Sequence, residues 1–180
     1  ILLPTGTIHS SGRNQLVLEL GTLTISAYTY KMYDYNRLDI TGKQRPLHTK
    51  LAERALVFDR NAEWVMKHVA FPPKLLLEGE GWREFLIGQY DCIYFETHRV
   101  EMGTGSRYPG VNMDGFTVIT LVDGEAARIQ SIDDPGRYYD ARYLDVILVP
   151  ASMRSYEVIA TGRQPVVLHK TFVREDKYES

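Results

Sequence analysis

Short apolar runs separated by glycine and proline turns dominate the chain after Pro73. They predict eight strands, over Lys74–Leu77, Glu84–Gly88, Ile93–Met102, Gly115–Asp123, Ala126–Ser131, Val146–Val149, Tyr156–Ala160 and Val166–Val173. Asp123-Gly124 between two apolar runs predicts a tight hairpin, and Gly103–Gly110 is predicted to be a flexible surface loop. Many short strands with little helix are typical of a jelly roll or a small barrel, which encloses a pocket between its sheets.

The first 73 residues combine strand-like and helix-like patterns. Gln15–Leu20 alternates between apolar and polar positions, and Thr22–Tyr33 is rich in β-branched and aromatic residues, so both are predicted to be strands. Apolar residues at near-helical spacing predict one short helix over Thr49–Phe58, with its first residue as the N-cap. Trp64–Val69 could continue that helix or begin a strand, and Phe71-Pro72-Pro73 ends it.

Two distant segments share one sequence pattern, which we call the proline frame. Ile1–His9 and Ile147–Ser155 both run from an apolar strand into a proline and small residues, and an apolar β-rich stretch follows. Internal similarity at long separation predicts two related β modules on one chain. Five residues after the proline, the first copy has His9 and the second has Ser155, so only one copy offers a metal ligand. The chain also starts in mid-strand, and we expect residues 1 to about 35 to be the tail of a module that lies upstream.

Composition excludes several classes of protein. A net charge of -2 across 180 residues gives no bulk attraction to nucleic acid or to an anionic membrane. No apolar run approaches the roughly 20 residues that span a bilayer. Cys92 is the single cysteine, so no intrachain disulfide can form, and its apolar neighbours predict an inert thiol buried in a strand. We therefore expect a soluble, cytoplasmic, mostly β protein.

The segment Pro4-x-Gly6-x-x-His9, with Asn14 five residues further on, resembles the second half of the metal-binding signature of cupins. In that signature the proline and glycine set a turn at the end of a strand, and the next strand projects the histidine into the barrel. Imidazole suits zinc and other borderline divalent metals, but a site needs three or four ligands. From the residues alone, His9 is either such a ligand or a hydrogen-bonded core residue, and both interpretations stay open.

The order of motifs along the chain resembles class I mannose-6-phosphate isomerases. The matching segments are Gly6-Thr7-Ile8-His9, Leu18-Glu19-Leu20, Tyr30-Lys31-Met32-Tyr33-Asp34-Tyr35-Asn36-Arg37 and Gly42-Lys43-Gln44-Arg45-Pro46-Leu47-His48, followed by a helix rich in alanine and leucine. The family has Gly-Thr-x-His, a Leu-Glu-Ile strand, Tyr-Arg-x-Tyr-Asp-x-x-Arg and Gly-Lys-x-Arg-x-x-His at these places. Leu121–Glu125 and Leu148–Ser152 look like the family's C-terminal, metal-free cupin, so the resemblance spans essentially the whole chain.

The resemblance implies a zinc-dependent isomerase that interconverts mannose 6-phosphate and fructose 6-phosphate through an enediol. Carried over by position, His9 is the last zinc ligand, Glu19 is a carboxylate at the active site, and Lys31 stands where many members have an arginine thought to assist proton transfer. Lysine keeps the positive charge but loses the planar fork. The family's Ser-Asp before that position has no clear match in Ala27-Tyr28-Thr29. The other zinc ligands of such enzymes precede this histidine, so we expect the isolated chain to be inactive.

The fold that the resemblance implies is all-β. It is a cupin-type jelly-roll sandwich or barrel with one short linking helix, preceded by the trailing strands of another cupin module. Residues 1–46 would be the C-terminal part of the catalytic barrel, residues 47–73 a helical linker, and residues 74–180 a metal-free second barrel. The expected partner is a small sugar phosphate, with no nucleic acid and no membrane, and a homodimer is possible.

Several charged residues have two interpretations each. Arg37, Lys43 and Arg45 form a basic cluster that could bind the phosphate of the sugar or form salt bridges between domains. Glu19 could equally be a structural, salt-bridged carboxylate.

Histidines elsewhere in the chain give weaker signals. Glu96, His98 and Glu101 lie close together and could form a second metal site, although a solvated strand face is favoured. The remaining histidines are expected to be structural or to form local hydrogen bonds: His48, His68 and His169. The main alternative to an isomerase is a non-catalytic, carbohydrate-binding or regulatory cupin domain, and a third possibility is a purely structural β domain with a filled interior.

Overall fold

The computed structural model describes residues 3–12, 14–21, 30–70, 72–89, 93–112 and 115–174. These residues divide into two compact units, the first within residues 2–71 and the second within residues 72–180. The prediction for Cys92, and most of the strand predicted over Thr22–Tyr33, lie outside the described residues.

The second unit is a sandwich of two antiparallel sheets. Its ten strands are β1 (Lys74–Gly79), β2 (Trp82–Gly88), β3 (Phe95–Met102), β4 (Arg107–Val111), β5 (Thr117–Asp123), β6 (Ala126–Ser131), β7 (Tyr138–Arg142), β8 (Val146–Val149), β9 (Ser155–Ala160) and β10 (Val166–Val173). The larger sheet has the order β1-β2-β3-β10-β5-β8 and the smaller has the order β4-β9-β6-β7. Without the β1–β2 hairpin, this is the two-sheet order of an eight-stranded jelly roll. For this unit, the prediction of an all-β, cupin-type jelly roll is confirmed.

The hydrophobic core of this unit lies between its two sheets. Along β6 and β9 every second residue is buried, as expected for strands that turn one face inward. The largest fully buried side chains include Tyr156, Ile119, Leu121 and Leu168. Gly110 lies directly beneath the Tyr156 ring, and a Cβ at this position would overlap the ring. The core therefore requires glycine at this point of β4.

The sequence pattern misses two strands, β4 and β7, which are the edges of the smaller sheet. β4 occupies part of the predicted loop Gly103–Gly110. Because β4 is an edge strand, Pro109 can lack an N–H without costing the sheet an interior hydrogen bond. In β7 only Ala141 is buried, so this strand carries almost no apolar alternation.

The hairpin predicted at Asp123-Gly124 is wrong in its strand pairing. β5 pairs with β8 and β10, whereas β6 pairs with β7 and β9, so this turn crosses from one sheet to the other. The turn itself is present: Gly124 has a φ of +96°, and a Cβ there would lie 2.6 Å from the carbonyl oxygen of Pro165. A local motif predicts a turn, but the packing of the two sheets decides which strands pair.

The described residues of the first unit form two short helices where one was predicted, α1 (Thr49–Ala55) and α2 (Ala62–His68). The N-cap of α1 is His48, without a side-chain hydrogen bond, so the predicted cap at Thr49 is wrong. The side chain of Asn61 caps α2 by accepting a hydrogen bond from the backbone N–H of Trp64 (3.0 Å). Among the described residues, no helix has the length and apolar character needed to cross a membrane.

The strand predicted over Gln15–Leu20 does not form, and these residues are irregular and mostly exposed. In the described part of this unit, strand pairing is limited to an isolated bridge between Leu38 and Gln44. An alternating segment becomes a strand only where a partner satisfies its backbone groups. The expected trailing strands of a preceding module therefore do not form within the described residues.

Candidate functional site

His9 follows a tight turn built on Gly6. The N–H of Thr7 donates to the carbonyl of Pro4 (3.1 Å), and Gly6 has a φ of +86°, as in a type II turn. Arg60 holds this turn by donating to the carbonyl of Pro4 (3.0 Å) and to the hydroxyl of Thr7 (2.7 Å). His9 is exposed, with its Nδ1 2.9 Å from the carbonyl oxygen of Thr7. The imidazole is therefore hydrogen-bonded without being part of a core.

We expect Gly6→Ala to lower the free energy of unfolding of the first unit by about 1–3 kcal/mol. The positive φ strains any L-residue, and the new Cβ would lie 2.7 Å from the carbonyl oxygen of Ala55. Denaturant unfolding followed by the NMR signal of the Trp64 indole measures the loss. Gly42→Ala is the matched control, since Gly42 also has a positive φ (+80°) but open space around its Cβ. Equal losses in the two variants would contradict the close approach at Gly6.

The second copy of the proline frame also forms a four-residue turn. The N–H of Met153 donates to the carbonyl of Pro150 (2.9 Å). The buried side-chain amide of Asn112 donates to the carbonyls of Val149 (3.3 Å), Pro150 (3.0 Å) and Met153 (3.1 Å). A buried amide thus holds this turn, whereas a guanidinium holds the turn before His9.

Three predicted site residues meet at one carboxylate that the sequence analysis did not single out, that of Asp34. Lys31 Nζ lies 3.0 Å from Asp34 Oδ1, and Arg37 donates to the same oxygen from Nη2 (2.6 Å) and Nε (3.1 Å). Arg45 Nε lies 3.3 Å from Asp34 Oδ2. Only 5% of Asp34 is exposed. We call Asp34, Lys31, Arg37 and Arg45 the Asp34 cluster.

Two turns bring these residues together. Tyr35 and Asn36 both adopt the left-handed conformation (φ +54° and +52°), and the N–H of Arg37 donates to the carbonyl of Asp34 (3.0 Å). This conformation is rare for tyrosine. The Tyr35 hydroxyl hydrogen-bonds with the Ser10 hydroxyl (2.9 Å), which links the segment that follows His9 to the turn. The turn folds Arg37 back onto the carboxylate.

A second loop places Arg45 opposite Arg37. The N–H of Arg45 donates to the carbonyl of Arg37 (3.1 Å), and the N–H of Asp39 donates to the carbonyl of Lys43 (2.7 Å). The Asp39 side chain fixes the tip of this loop by accepting from the N–H of Thr41 (2.8 Å) and the N–H of Lys43 (3.0 Å). Residues 39–43 thus form a tight turn whose tip is fixed by the Asp39 carboxylate.

The Asp34 cluster carries an excess of positive charge. The hydrogen bonds from Arg37 and Lys31, together with the charges of Arg37 and Arg45, outweigh the effect of burial and lower the pKa of Asp34 to about 2. Asp34 is thus ionised at neutral pH and offsets one of the three cations. Two positive charges remain for an anionic ligand.

The other predicted residues of this unit lie apart from the cluster's contacts. Lys43 is exposed at the loop tip, where its backbone rather than its side chain makes the described hydrogen bonds. Glu19 is exposed on the irregular segment 15–20. The structure therefore joins Lys31 to Arg37 and Arg45, although the sequence motifs had assigned them to different tasks.

In the interior of the second unit, a group of polar side chains joins the two sheets. Glu84 Oε1 lies 2.6 Å from His98 Nδ1 and 2.8 Å from Lys170 Nζ, and Glu84 Oε2 accepts a hydrogen bond from the Tyr108 hydroxyl (2.9 Å). The other ring nitrogen of His98 lies 2.5 Å from Glu96 Oε1. Glu84 and His98 are only 3% and 7% exposed. The expectation of a solvated strand face at Glu96 and His98 is therefore wrong.

Hydrogen bonding and charge explain why these groups can be buried together. Burial alone would raise the pKa of Glu84, but the hydrogen bond from His98, the charge of Lys170, and hydrogen bonds from Lys170 and Tyr108 lower it to about 2. Burial, together with the charge of Glu84, raises the pKa of the Tyr108 hydroxyl, which therefore stays a neutral donor. We call Glu84, Glu96, His98, Lys170 and Tyr108 the interior polar group.

The lowered pKa of Glu84 predicts that the second unit weakens in acid. The folded state has a pKa of about 2 against an ordinary value of 4.5, so the stabilisation is complete above pH 4.5 and is lost as the pH falls toward 2. The loss should be on the order of 3 kcal/mol. Denaturant unfolding between neutral pH and pH 2, read from the Trp82 indole signal, measures it. An acid dependence of equal size in Glu84→Gln would show that another group is responsible.

The described residues do not form a zinc site by themselves. Zinc in proteins takes three or four protein ligands, whereas no group of three or more His, Cys, Asp or Glu side chains among the described residues could hold a metal ion. His9 offers one exposed imidazole. Within the interior polar group, the Lys170 ammonium already lies against Glu84. The alternative of a second metal site around His98 is not supported.

Comparison with known proteins identifies relatives but no family model matches the chain. Mannose-6-phosphate isomerase ManA from Bacillus subtilis is 27% identical over 157 residues, which cover 86% of this chain and 44% of ManA. The putative mannose-6-phosphate isomerase YvyI from the same organism is 46% identical over 52 residues, or 29% of this chain and 16% of YvyI. Mannose-6-phosphate isomerase from Streptococcus mutans is 34% identical over 76 residues, or 42% of this chain and 22% of that protein.

Among solved structures, a cupin-2 domain from Rhodospirillum rubrum aligns with a TM-score of 0.47 and 12% identity, covering 58% of this chain and 72% of that domain. The chain spans less than half the length of the curated relatives described above. Over most of its own length, it is similar to a mannose-6-phosphate isomerase.

Proposed function

We propose that this chain carries part of the active site of an aldose–ketose isomerase that interconverts mannose 6-phosphate and fructose 6-phosphate. The observation that carries the proposal is the Asp34 cluster, in which three cations surround a single carboxylate and leave two positive charges for an anionic substrate. Similarity to ManA over 157 residues supports the class of reaction. Because the chain covers only 44% of ManA, the activity is proposed for the whole protein.

The proposed chemistry is an internal transfer of hydrogen. A base removes a proton from the carbon next to the carbonyl, and the resulting enediolate takes a proton on the neighbouring carbon, so no oxidant or reductant is needed. Glu19 is proposed as the base, and the Lys31 ammonium is proposed to stabilise the negative oxygen. Both side chains are accessible, since Glu19 is exposed and the Lys31 side chain is 39% exposed.

Substrate binding is proposed to rest on cations of the same unit. Arg37, Lys43 and Arg45 are proposed to bind the phosphate of the sugar, since guanidinium groups donate pairs of hydrogen bonds to phosphate oxygens. His9 remains a proposed zinc ligand. Because the described residues do not complete a zinc site, we assign no step of the reaction to the metal.

Assay of the complete natural gene product tests the proposal. With zinc supplied, we expect conversion of mannose 6-phosphate to fructose 6-phosphate in a coupled assay, and bound zinc by elemental analysis. Protein that binds the sugar phosphate but neither holds zinc nor turns over would refute the isomerase. A cytoplasmic location and a homodimer belong to the same proposal, and light scattering of the purified protein tests the dimer.

The rival proposal is a carbohydrate-binding cupin without catalysis. It is favoured by an open pocket of about 530 Å³ in the second unit, lined by Trp82, Arg83 and Glu101 among others. An indole beside charged side chains suits the apolar faces and hydroxyl groups of a sugar. Titrating mannose into the wild-type protein and into Trp82→Ala separates the two proposals. Binding that is lost in this variant favours the rival, and isomerase turnover excludes it.

A further inference from the structure

Asp34 is buried, while the three cations that it holds are largely exposed. The side chains of Lys31, Arg37 and Arg45 are 39%, 53% and 36% exposed, against 6% for Asp34. An isolated ion pair on a surface leaves long side chains mobile and contributes little to stability. Three cations on one buried acceptor are restrained together. The cluster is therefore a fixed anchor that presents cationic groups to solvent.

The cluster has donors that its own contacts do not use. Asp34 contacts Lys31 Nζ, Nε and Nη2 of Arg37, and Nε of Arg45. The described hydrogen bonds to this carboxylate do not use Arg37 Nη1, the two Nη atoms of Arg45 or the remaining N–H bonds of Lys31. A phosphoryl dianion carries two negative charges and oxygen atoms that accept hydrogen bonds. Its charge equals the excess charge of the cluster, and its acceptors suit the unused donors.

We propose that Arg37 and Arg45 form one binding site for a phosphoryl dianion and that Asp34 is its positioning residue. The proposal rests on the proposed function for identifying this group as the phosphate of a sugar phosphate. Lys31 and Arg37 share one oxygen of Asp34, so their nitrogen atoms stay within two hydrogen-bond lengths of each other. Asp34 thus positions both the arginine proposed to bind the phosphate and Lys31, the residue proposed to stabilise the enediolate oxygen.

The two conceivable roles of Asp34 predict opposite changes in affinity. If Asp34 only neutralised charge, its removal would raise the net positive charge and tighten the binding of an anion. If Asp34 positions the cations, its removal leaves three long side chains mobile, and each must then be ordered when the ligand binds. The direction of the change therefore separates positioning from simple charge balance.

The test is a titration of the 180-residue chain with inorganic phosphate at neutral pH, followed by NMR. We expect saturable shifts in the wild type and about tenfold weaker binding in Asp34→Asn. Glu53→Gln is the control for the loss of one negative charge, because Glu53 is exposed on α1 and outside the cluster. It should change the affinity less than twofold. Unchanged or tighter binding by a folded Asp34→Asn variant would overturn the proposal.

A second variant keeps the test decisive if Asp34→Asn does not fold. Arg45→Lys keeps the charge but removes the guanidinium fork, so a positioned site predicts weaker phosphate binding and a purely electrostatic one predicts no change. The isomerase assay on the complete protein is a separate readout. Phosphate binding that responds as predicted, without turnover, would refute the isomerase and leave the anion site standing. If the complete protein is an active isomerase but neither variant changes the affinity for phosphate, only the positioning role of Asp34 is refuted.

Discussion

Glu84→Ala is expected to lower the free energy of unfolding of the second unit by about 3–5 kcal/mol. The carboxylate accepts from His98, Lys170 and Tyr108 within a space that is almost closed to water. Its removal leaves the Lys170 ammonium buried without its ion-pair partner, and a buried unpaired charge is costly. Denaturant unfolding at neutral pH, followed by the Trp82 indole signal, measures the loss.

Glu78→Ala is the matched control for this prediction, because Glu78 is an exposed glutamate on β1. Its free energy of unfolding should stay within about 0.5 kcal/mol of the wild type. A double variant, Glu84→Ala with Lys170→Met, should lose less than the sum of the two single variants, since it removes both charges. Additive losses would mean that the pair does not interact as its 2.8 Å separation indicates.

Lys31→Gln is expected to reduce the isomerase kcat of the complete natural protein by about 100-fold. Glutamine has no positive charge with which to stabilise the enediolate oxygen. Lys31→Arg should retain most of the activity, because the resemblance implies that many members of the isomerase family have arginine at this position. Steady-state kinetics with mannose 6-phosphate gives kcat and KM separately.

A structural role for Lys31 would give a different result. If Lys31 only stabilised the fold around Asp34, its loss would lower the thermal stability while properly folded enzyme kept its kcat. A stable Lys31→Gln variant with an unchanged kcat would therefore remove Lys31 from the proposed chemistry.

The sequence predicted the strands of the second unit well where apolar and β-branched residues are concentrated. β6, β8 and β10 begin and end at the predicted residues. The edge strands β4 and β7 were missed because an edge strand can carry proline, glycine and polar residues without losing sheet hydrogen bonds. The strand at Gln15–Leu20 was predicted from local pattern alone, which carries no information about whether a partner strand is present.

The interior polar group could have been predicted by assigning alternate residues of each strand to the inward and outward faces. Glu84 stands two residues from Trp82 and from Leu86 on β2, and Lys170 stands two residues from the buried Leu168 on β10. Two-residue alternation places such residues on the inward face. The signal is weak for any one strand, and only pairing across β2, β3 and β10 shows that the charges meet.

The Asp34 cluster was predicted in part. Charge and proximity in sequence group Arg37 and Arg45 with Lys43, whereas the resemblance assigns Lys31 to proton transfer and gives Asp34 no role. A left-handed turn at Tyr35 and Asn36 folds Arg37 onto Asp34. This turn contains no glycine from which it could have been predicted. The available signal is the spacing, since Asp34 lies three residues from a cation on each side, Lys31 and Arg37.

Isomerisation in D₂O by the complete, zinc-supplied natural protein tests the central claim most directly. Starting from fructose 6-phosphate, we predict mannose 6-phosphate with deuterium at C2, because an exposed base such as Glu19 exchanges its proton with solvent. The same reaction should be about 100-fold slower with Lys31→Gln. Folded protein that forms no mannose 6-phosphate would contradict the claim.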